Sequence, residues 1–157
     1  MHANEQLIHK FYEAFAQNDF NTMSECYYPR ATFKDEAFDL KNSKQIGVMW
    51  RMLIERGTDL RIQSSNIQAN DATGTAKWEA WYTFSSTGNK VHNIINANFT
   101  FEDGKFLNHR DNFNFHRWAS QALGLTGRLF GWTDFLHKKV RATATSGLEN
   151  YTARKEL

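Results

Sequence analysis

One cysteine and one proline occur in 157 residues, and each scarcity excludes something. Cys26 has no partner, so no internal disulfide framework supports the fold. It falls in a helical pattern beside Tyr27, where a small buried apolar side chain is expected rather than a nucleophile. Pro29 is expected to end a short helix at Tyr28, because the residue before proline avoids helical geometry. No apolar run is long enough to span a bilayer. Met1 to Lys10 is polar and lacks a signal-peptide pattern, so a cytoplasmic location is expected. There is no Gly-rich phosphate loop, no internal repeat and no low-complexity stretch. The six histidines, at 2, 9, 92, 109, 116 and 137, lack ligand spacing such as H-E-x-x-H. No serine nucleophile elbow is present either. Neither a metal nor a cofactor is expected.

What is abundant is aromatic: 15% of the chain, with 13 Phe, 5 Trp and 5 Tyr. Such residues build a core readily and also line ligand pockets. The overall balance, 41% hydrophobic and 23% charged, is that of a soluble globular chain of single-domain size. The net charge of +2 is unevenly spread. From His116 onward seven Lys/Arg face three Asp/Glu, whereas the remainder holds twelve against fourteen. These charges form no dense block, so a solvated helix face is expected rather than a nucleic-acid partner, and the lack of a spanning run implies no membrane partner.

Hydrophobic periodicity predicts a helix over 4–17, with Leu7, Ile8, Phe11 and Phe15 on one face. Asp19 would cap a second helix over 20–27. Asn42 or Ser43 starts a third, with Ile46, Met49, Trp50, Leu53 and Ile54 as its buried stripe and Gly57 as its end. Strands are predicted at 31–37, weakly at 66–70, and at 75–86, 91–102 and 106–115. Tight turns fall at Ser86-Thr87-Gly88-Asn89 and Asp103-Gly104. Helical pattern resumes after His116, broken by Gly124, Gly127 and Gly131, and a last helix covers about 133–154.

Strand side chains alternate between faces, so each strand can be sorted. Ala76, Trp78, Ala80, Tyr82 and Phe84 form one inner row. Val91, Ile95, Ala97, Phe99 and Phe101 form the next, with Asn93 among them. Leu107, Phe113 and Phe115 share a face with His109 and Asp111, and Ala31, Phe33 and Ala37 with Asp35. Four polar residues thus lie on faces that should be apolar. A buried carboxylate must be paired or line a wet cavity. An Asp beside a His either fixes the core as a bonded pair or serves acid–base chemistry, for which burial raises carboxylate pKa values usefully.

The order of elements and the local sequences resemble a known family. Phe11-Tyr12-Glu13-Ala14-Phe15 with Asn18-Asp19-Phe20, then Tyr27 and Ala31-Thr32-Phe33-Lys34-Asp35, resemble the opening of SnoaL-like proteins of the nuclear transport factor 2-like superfamily. The run from Phe99 to Phe106 followed by His109-Arg110-Asp111-Asn112-Phe113 resembles its closing hairpin. The resemblance implies an α+β, cystatin-like fold: a cone-shaped curved antiparallel sheet wrapped around helices over residues 1–117, with a helical extension, 118–157, packed on it. Relatives include ketosteroid isomerases, limonene epoxide hydrolases, polyketide cyclases and proteins that only bind, so function must be argued from the site. Asp35 falls where the isomerases keep their base, although Glu36 follows in place of proline. Their oxyanion-binding Tyr and Asp correspond to Phe11 and Ala97; Tyr12, one residue on, would point elsewhere on the helix. Asp111 falls at the catalytic Asp of the epoxide hydrolases, whose partner Arg and Asp correspond to Trp78 and Ala80.

The expected function is therefore cofactor-free acid–base chemistry on a small apolar molecule. Asp111 would be the base, His109 would polarise the substrate or relay a proton, Asp35 would be a second acid or base, and Asn93 an orienting donor. Trp50, Trp78, Tyr82, Ile95, Phe113 and Phe33 would form the wall. The alternatives are a binding module with the same pocket, or an interaction domain whose outer face around Trp81 and Ile94 forms a homodimer.

Overall fold

A computed structural model describes all 157 residues. The N-terminal helix α1 (Ala3–Ala16) buries Ile8, Phe11, Tyr12 and Phe15. Tyr12 thus joins the core, where the one-face reading had turned it elsewhere. Helix α2 (Phe20–Glu25) is capped by the Asp19 carboxylate, which accepts from the Thr22 N–H. Strand β1 (Tyr27–Lys34) pairs with the two-residue β2 (Asp39–Leu40), and α3 (Ser43–Arg56) begins at an Asn42 cap. Strands β3 (Arg61–Ala69), β4 (Thr73–Phe84), β5 (Asn89–Glu102) and β6 (Lys105–Asn112) follow. Helices α4 (Phe115–Ala122), α5 (Leu125–Phe130) and α6 (Asp134–Arg154) complete the chain. An assumed division after residue 117 would cut through α4.

The six strands form one curved, unclosed sheet in the order β2-β1-β6-β5-β4-β3. All pairings are antiparallel except β1 with β6, which is parallel. The β5–β6 hairpin turns on Asp103 and Gly104, with φ of 51° and 72° as a two-residue turn requires. Register shifts interrupt β1–β6, β3–β4 and β5–β6. Bulges of this kind bend a sheet, and here they curl it around α1 and α3.

Those bulges explain where the sequence reading missed. The helix expected to reach Tyr27 stops at Glu25, and Tyr27 opens β1. Pro29 lies between Tyr27 and Thr32, where the β1–β6 ladder is interrupted, so its missing N–H costs no ladder bond. β1 ends at Lys34, leaving Asp35 in the turn to β2. β3 starts five residues before the expected strand; Asn66, at φ 52°, breaks its alternation. In β6 the buried residue is Phe106, not Leu107, because the register shifts beside Thr100 and Phe101.

β6 pairs with β5 only from Asn96 onward, so the first half of β5 is paired with β4 on one side and has no strand on the other. Helix α4 takes that place. The His92 N–H donates to Gln121 Oε1 at 2.6 Å, and the His92 carbonyl accepts from Arg117 Nη1 at 2.9 Å. Val91 packs with Phe115, Trp118, Ala119, Ala122 and Leu136 in a second, smaller core. This extends the inner surface of the sheet beyond the strand pairing and sets up the site.

Candidate functional site

A cavity of about 690 Å³ opens between the concave face of the sheet, α3 and α6. Trp50, Trp78, Ala80, Tyr82, Asn93, Ile95, Asp111 and Phe113 line it, together with Trp118 of α4 and Leu136, Val140 and Ala144 of α6. The extension is therefore a wall of the cavity. Its contribution comes at helical spacing, one residue per turn, a stripe readable in the sequence but assigned there to no site.

The best-defined polar group on this wall is Asp111, only 2% exposed. A chain of bonds holds it. Trp50 Nε1 donates to the Tyr27 hydroxyl at 3.1 Å, and that hydroxyl meets His109 Nδ1 at 2.7 Å. His109 Nε2 meets Asp111 Oδ1 at 2.8 Å, and Trp78 Nε1 approaches the same oxygen at 3.4 Å. One proton assignment satisfies every donor: Tyr27 gives its proton to Nδ1, and the neutral imidazole donates from Nε2 to the carboxylate. Burial pushes the Tyr27 pKa well up, which keeps that hydroxyl a donor. Asp111 Oδ2 has no hydrogen-bond partner. A buried carboxylate oxygen left unpaired costs about 1–3 kcal/mol, so this atom calls for a proton or donor that the fold does not supply.

Among the other polar groups of the cavity, Asp35, Tyr82 and Asn93 are those the chemistry can use. Asp35 Oδ1 accepts from the Ala37 and Phe38 N–H groups at 2.7 and 2.6 Å, a local turn that fixes the carboxyl. Burial nevertheless pushes its pKa up to about 7, with the Asp111 charge adding to the rise. Tyr82 accepts from Trp118 Nε1 at 2.8 Å, and burial raises its pKa, so its own O–H remains free to donate. Asn93 is 8% exposed, and its side-chain amide makes no hydrogen bond within the protein. The inner part of the cavity thus sets two carboxyl groups and the Tyr82 and Asn93 donors against aromatic and aliphatic walls, while Arg56, Thr126, Lys139 and Thr143 add polar groups elsewhere on its lining.

The structure brings together Asp111, Asp35, Asn93, Trp50, Trp78, Tyr82, Ile95 and Phe113. Two expected members are absent from its lining. The His109 side chain is fully buried, with both ring nitrogens engaged, so it orients Asp111 from behind the wall. Phe33 lies behind the wall, its ring 4.9 Å from His109 and 5.5 Å from Trp50. Sequence reasoning missed Tyr27 and Trp118. Starting β1 at Tyr27 would have put it on the face of Ala31 and Phe33 by alternation alone. Tyr12 was also missed; its hydroxyl is buried without a partner, and the Asp111 charge is second only to burial in raising its pKa. Cys26 is buried, and desolvation lifts its thiol pKa to about 11, as an inert core residue requires. No cluster of three or more His, Cys, Asp or Glu side chains could hold a metal ion. No helix is long and apolar enough to cross a membrane.

Among solved structures, the chain is similar to a candidate polyketide cyclase from Xanthomonas campestris pv. campestris. The two are 17% identical, with a TM-score of 0.64 over 76% of this chain and 96% of that one. An LEH-like epoxide hydrolase from M. tuberculosis aligns with 15% identity and a TM-score of 0.62, covering 81% of this chain and 95% of the other. A candidate SnoaL-like polyketide cyclase from Jannaschia sp. CCS1 gives 12% identity and a TM-score of 0.66, over 76% and 90%. At these identities the likeness establishes the fold alone. No functionally curated protein matches the chain. The sequence profile of the SnoaL-like domain matches residues 8–109, which is most of the chain and runs from within α1 through α2, α3 and the sheet up to His109; the protein belongs to the SnoaL-like domain family.

Proposed function

We propose that this protein is a cofactor-independent acid–base enzyme acting on a small, mostly apolar molecule held in the cavity. The observation that carries the reading is Asp111: one carboxylate oxygen is anchored by His109 and Trp78, and the other is buried with no partner. In this reading Oδ2 takes a proton from a carbon next to a carbonyl. The enolate oxygen that forms accepts hydrogen bonds from Tyr82 O–H and the Asn93 amide, which replace the donors lost at Phe11 and Ala97. The proton returns to carbon from Asp111 or from Asp35, whose pKa of about 7 suits either direction of transfer. The fold shared with the cyclase and epoxide hydrolase structures is compatible with a ligand-holding cavity of this kind.

The reading includes a cytoplasmic homodimer joined through the outer face of the sheet. It is supported there by Trp81, stacked between the Arg61 guanidinium at 4.3 Å and the His92 ring at 4.6 Å, which gives a flat, rigid surface.

The test does not require knowing the substrate. Native mass spectrometry identifies any molecule retained on purification, and incubation in D2O then reports proton exchange into it. Wild type should raise the ligand's mass. Asp111→Asn, nearly isosteric, should retain the ligand and slow exchange by about 10²- to 10⁴-fold. Exchange at the wild-type rate in the variant would remove Asp111 from the chemistry. A ligand that exchanges in neither protein would favour a binding module, a reading that the snug burial of Asp111 within a bonded chain also suits.

A further inference from the structure

Apart from Met1, every large hydrophobic side chain that the protein exposes lies within eleven residues. Leu125 is 69% exposed, Leu129 53%, Phe130 54%, Trp132 75% and Phe135 77%. They occupy α5 and the elbow into α6. Helix α5 is inside out: its glycines face inward and its large residues face water. A Cβ on Gly127 would collide with the Ala119 carbonyl, and one on Gly131 with the Gly127 carbonyl. The helix is therefore seated tightly on α4 by small residues, and no core explains the apolar face it turns outward.

The face is also rigid. Trp132 Nε1 donates to the Leu129 carbonyl at 3.0 Å, and Thr133 Oγ1 donates to Phe130 O at 2.6 Å. The same hydroxyl accepts from the Leu136 N–H and caps α6. A preformed apolar surface of this kind marks an interaction site rather than a fraying end.

Charge selects the occupant. Arg128 and Lys138 are exposed in the same stretch of chain, Lys139 is exposed at the rim of the cavity, Arg141 is exposed and donates to the Glu36 carbonyl, and Asp134 is the one acid between Leu125 and Arg141. None of the four cations is in an ion pair; the Lys and Arg pairs of the protein involve other residues. A second copy docking here about a two-fold axis would set this local excess of positive charge against itself. Exposed Trp, Phe and Leu in a stretch rich in Lys and Arg match instead the boundary of an anionic bilayer, with aromatics at the headgroup level and cations on the phosphates.

We propose that the α5–α6 elbow docks peripherally on an anionic phospholipid bilayer. The expectation of no membrane partner rested on the lack of a spanning segment, and it does not extend to this contact. The cavity adjoins the docking surface: Thr126 of α5 and Leu136, Lys139 and Val140 of α6 line it, interleaved with the exposed residues. A docked protein would thus hold its apolar cavity beside the phase in which an apolar ligand concentrates. The docking stands whether or not Asp111 is catalytic.

The experiment is flotation of the full-length protein with vesicles of phosphatidylglycerol and phosphatidylcholine, and with phosphatidylcholine alone. Wild type should float with the anionic vesicles, weakly with the neutral ones, and be released by salt. Trp132→Ser/Phe135→Ser should lose at least tenfold in the floated fraction with an unchanged thermal melt. Arg128→Glu/Lys138→Glu, which leaves the apolar patch intact, should abolish the anionic preference. Wild type remaining at the bottom with both vesicles would overturn the proposal, as would a Trp132→Ser/Phe135→Ser variant that floats like wild type. If wild type does not float and sedimentation shows that the same variant loses a dimer, the surface belongs to a second copy and the proposal fails.

Discussion

Asp35 accepts two backbone N–H bonds on one oxygen, which lowers a carboxyl pKa, yet burial outweighs them and lifts it to about 7. The sign of the consequence is fixed. A carboxyl whose folded pKa exceeds its unfolded value near 4 binds more protons when folded, so its contribution to stability falls as pH rises from about 4 to about 7. Asp35→Asn keeps an oxygen for both N–H groups and removes the charge. Urea melts should show the variant more stable than wild type by about 2 kcal/mol at pH 8, a discount from the roughly 4 kcal/mol of a fully enclosed group, with the gain fading towards pH 4. A constant difference across that range would mean the carboxyl is not desolvated. Asn93 and Asp111 were legible as cavity residues because strand alternation exposes a polar residue on an apolar face; Asp35, expected on such a face, reaches the cavity from the turn after β1 instead. The role of His109 was not, since alternation says which face a side chain shares and nothing about how deeply it lies. Phe33 failed for the same reason.

Elements were legible where local signals agreed. The Asp103-Gly104 turn, the Asn42 cap and the long alternation of β4 and β5 all fell close to their expected places. They failed where tertiary pairing overrode local preference: Pro29 inside β1 at a ladder gap, and Asn66 at a bulge inside β3. Helix α5 shows a third limit. Gly124, Gly127 and Gly131 read as breakers in the sequence, and Gly124 indeed precedes α5 with φ 62°, but Gly127 lies inside the helix because a neighbour leaves no room for a side chain. Gly127→Ala gains helix propensity, roughly 1 kcal/mol in an open helix. Here overpacking against the α4 backbone, which has no flexible end to yield, should outweigh it and leave a net loss of about 1–2 kcal/mol. A lowered melting temperature with reduced protection of the α5 amides in hydrogen exchange would confirm this. A raised one would mean that α5 sits further from α4.

At the scale of the molecule, the extension and the domain share one cavity, and α6 meets the loop between β1 and β2 at a single residue. Glu36, next to Asp35, receives α6 twice. His137 Nε2 lies 2.9 Å from the Glu36 carbonyl and 3.1 Å from its carboxylate, and Arg141 Nε donates to the same carbonyl at 3.1 Å. The His137 ring is stacked on Phe115, 4.2 Å away, so the clamp is backed by the second core. Little else crosses from the α6 wall to the β1–β2 turn except cavity-lining apolar side chains, so opening the cavity on that side means breaking these bonds. His137→Ala/Arg141→Ala removes both donors and leaves Leu136, Val140 and Ala144 on the wall. Release of the retained ligand, or of anilinonaphthalene sulfonate if the protein purifies empty, should accelerate about tenfold, corresponding to roughly 1.4 kcal/mol of lost clamping. The rate of entry should change less, because affinity differences among variants of one site fall mostly on dissociation. Stopped-flow displacement measures both. An unchanged release rate would mean that α6 stays shut without the clamp and that the ligand leaves past α3 instead.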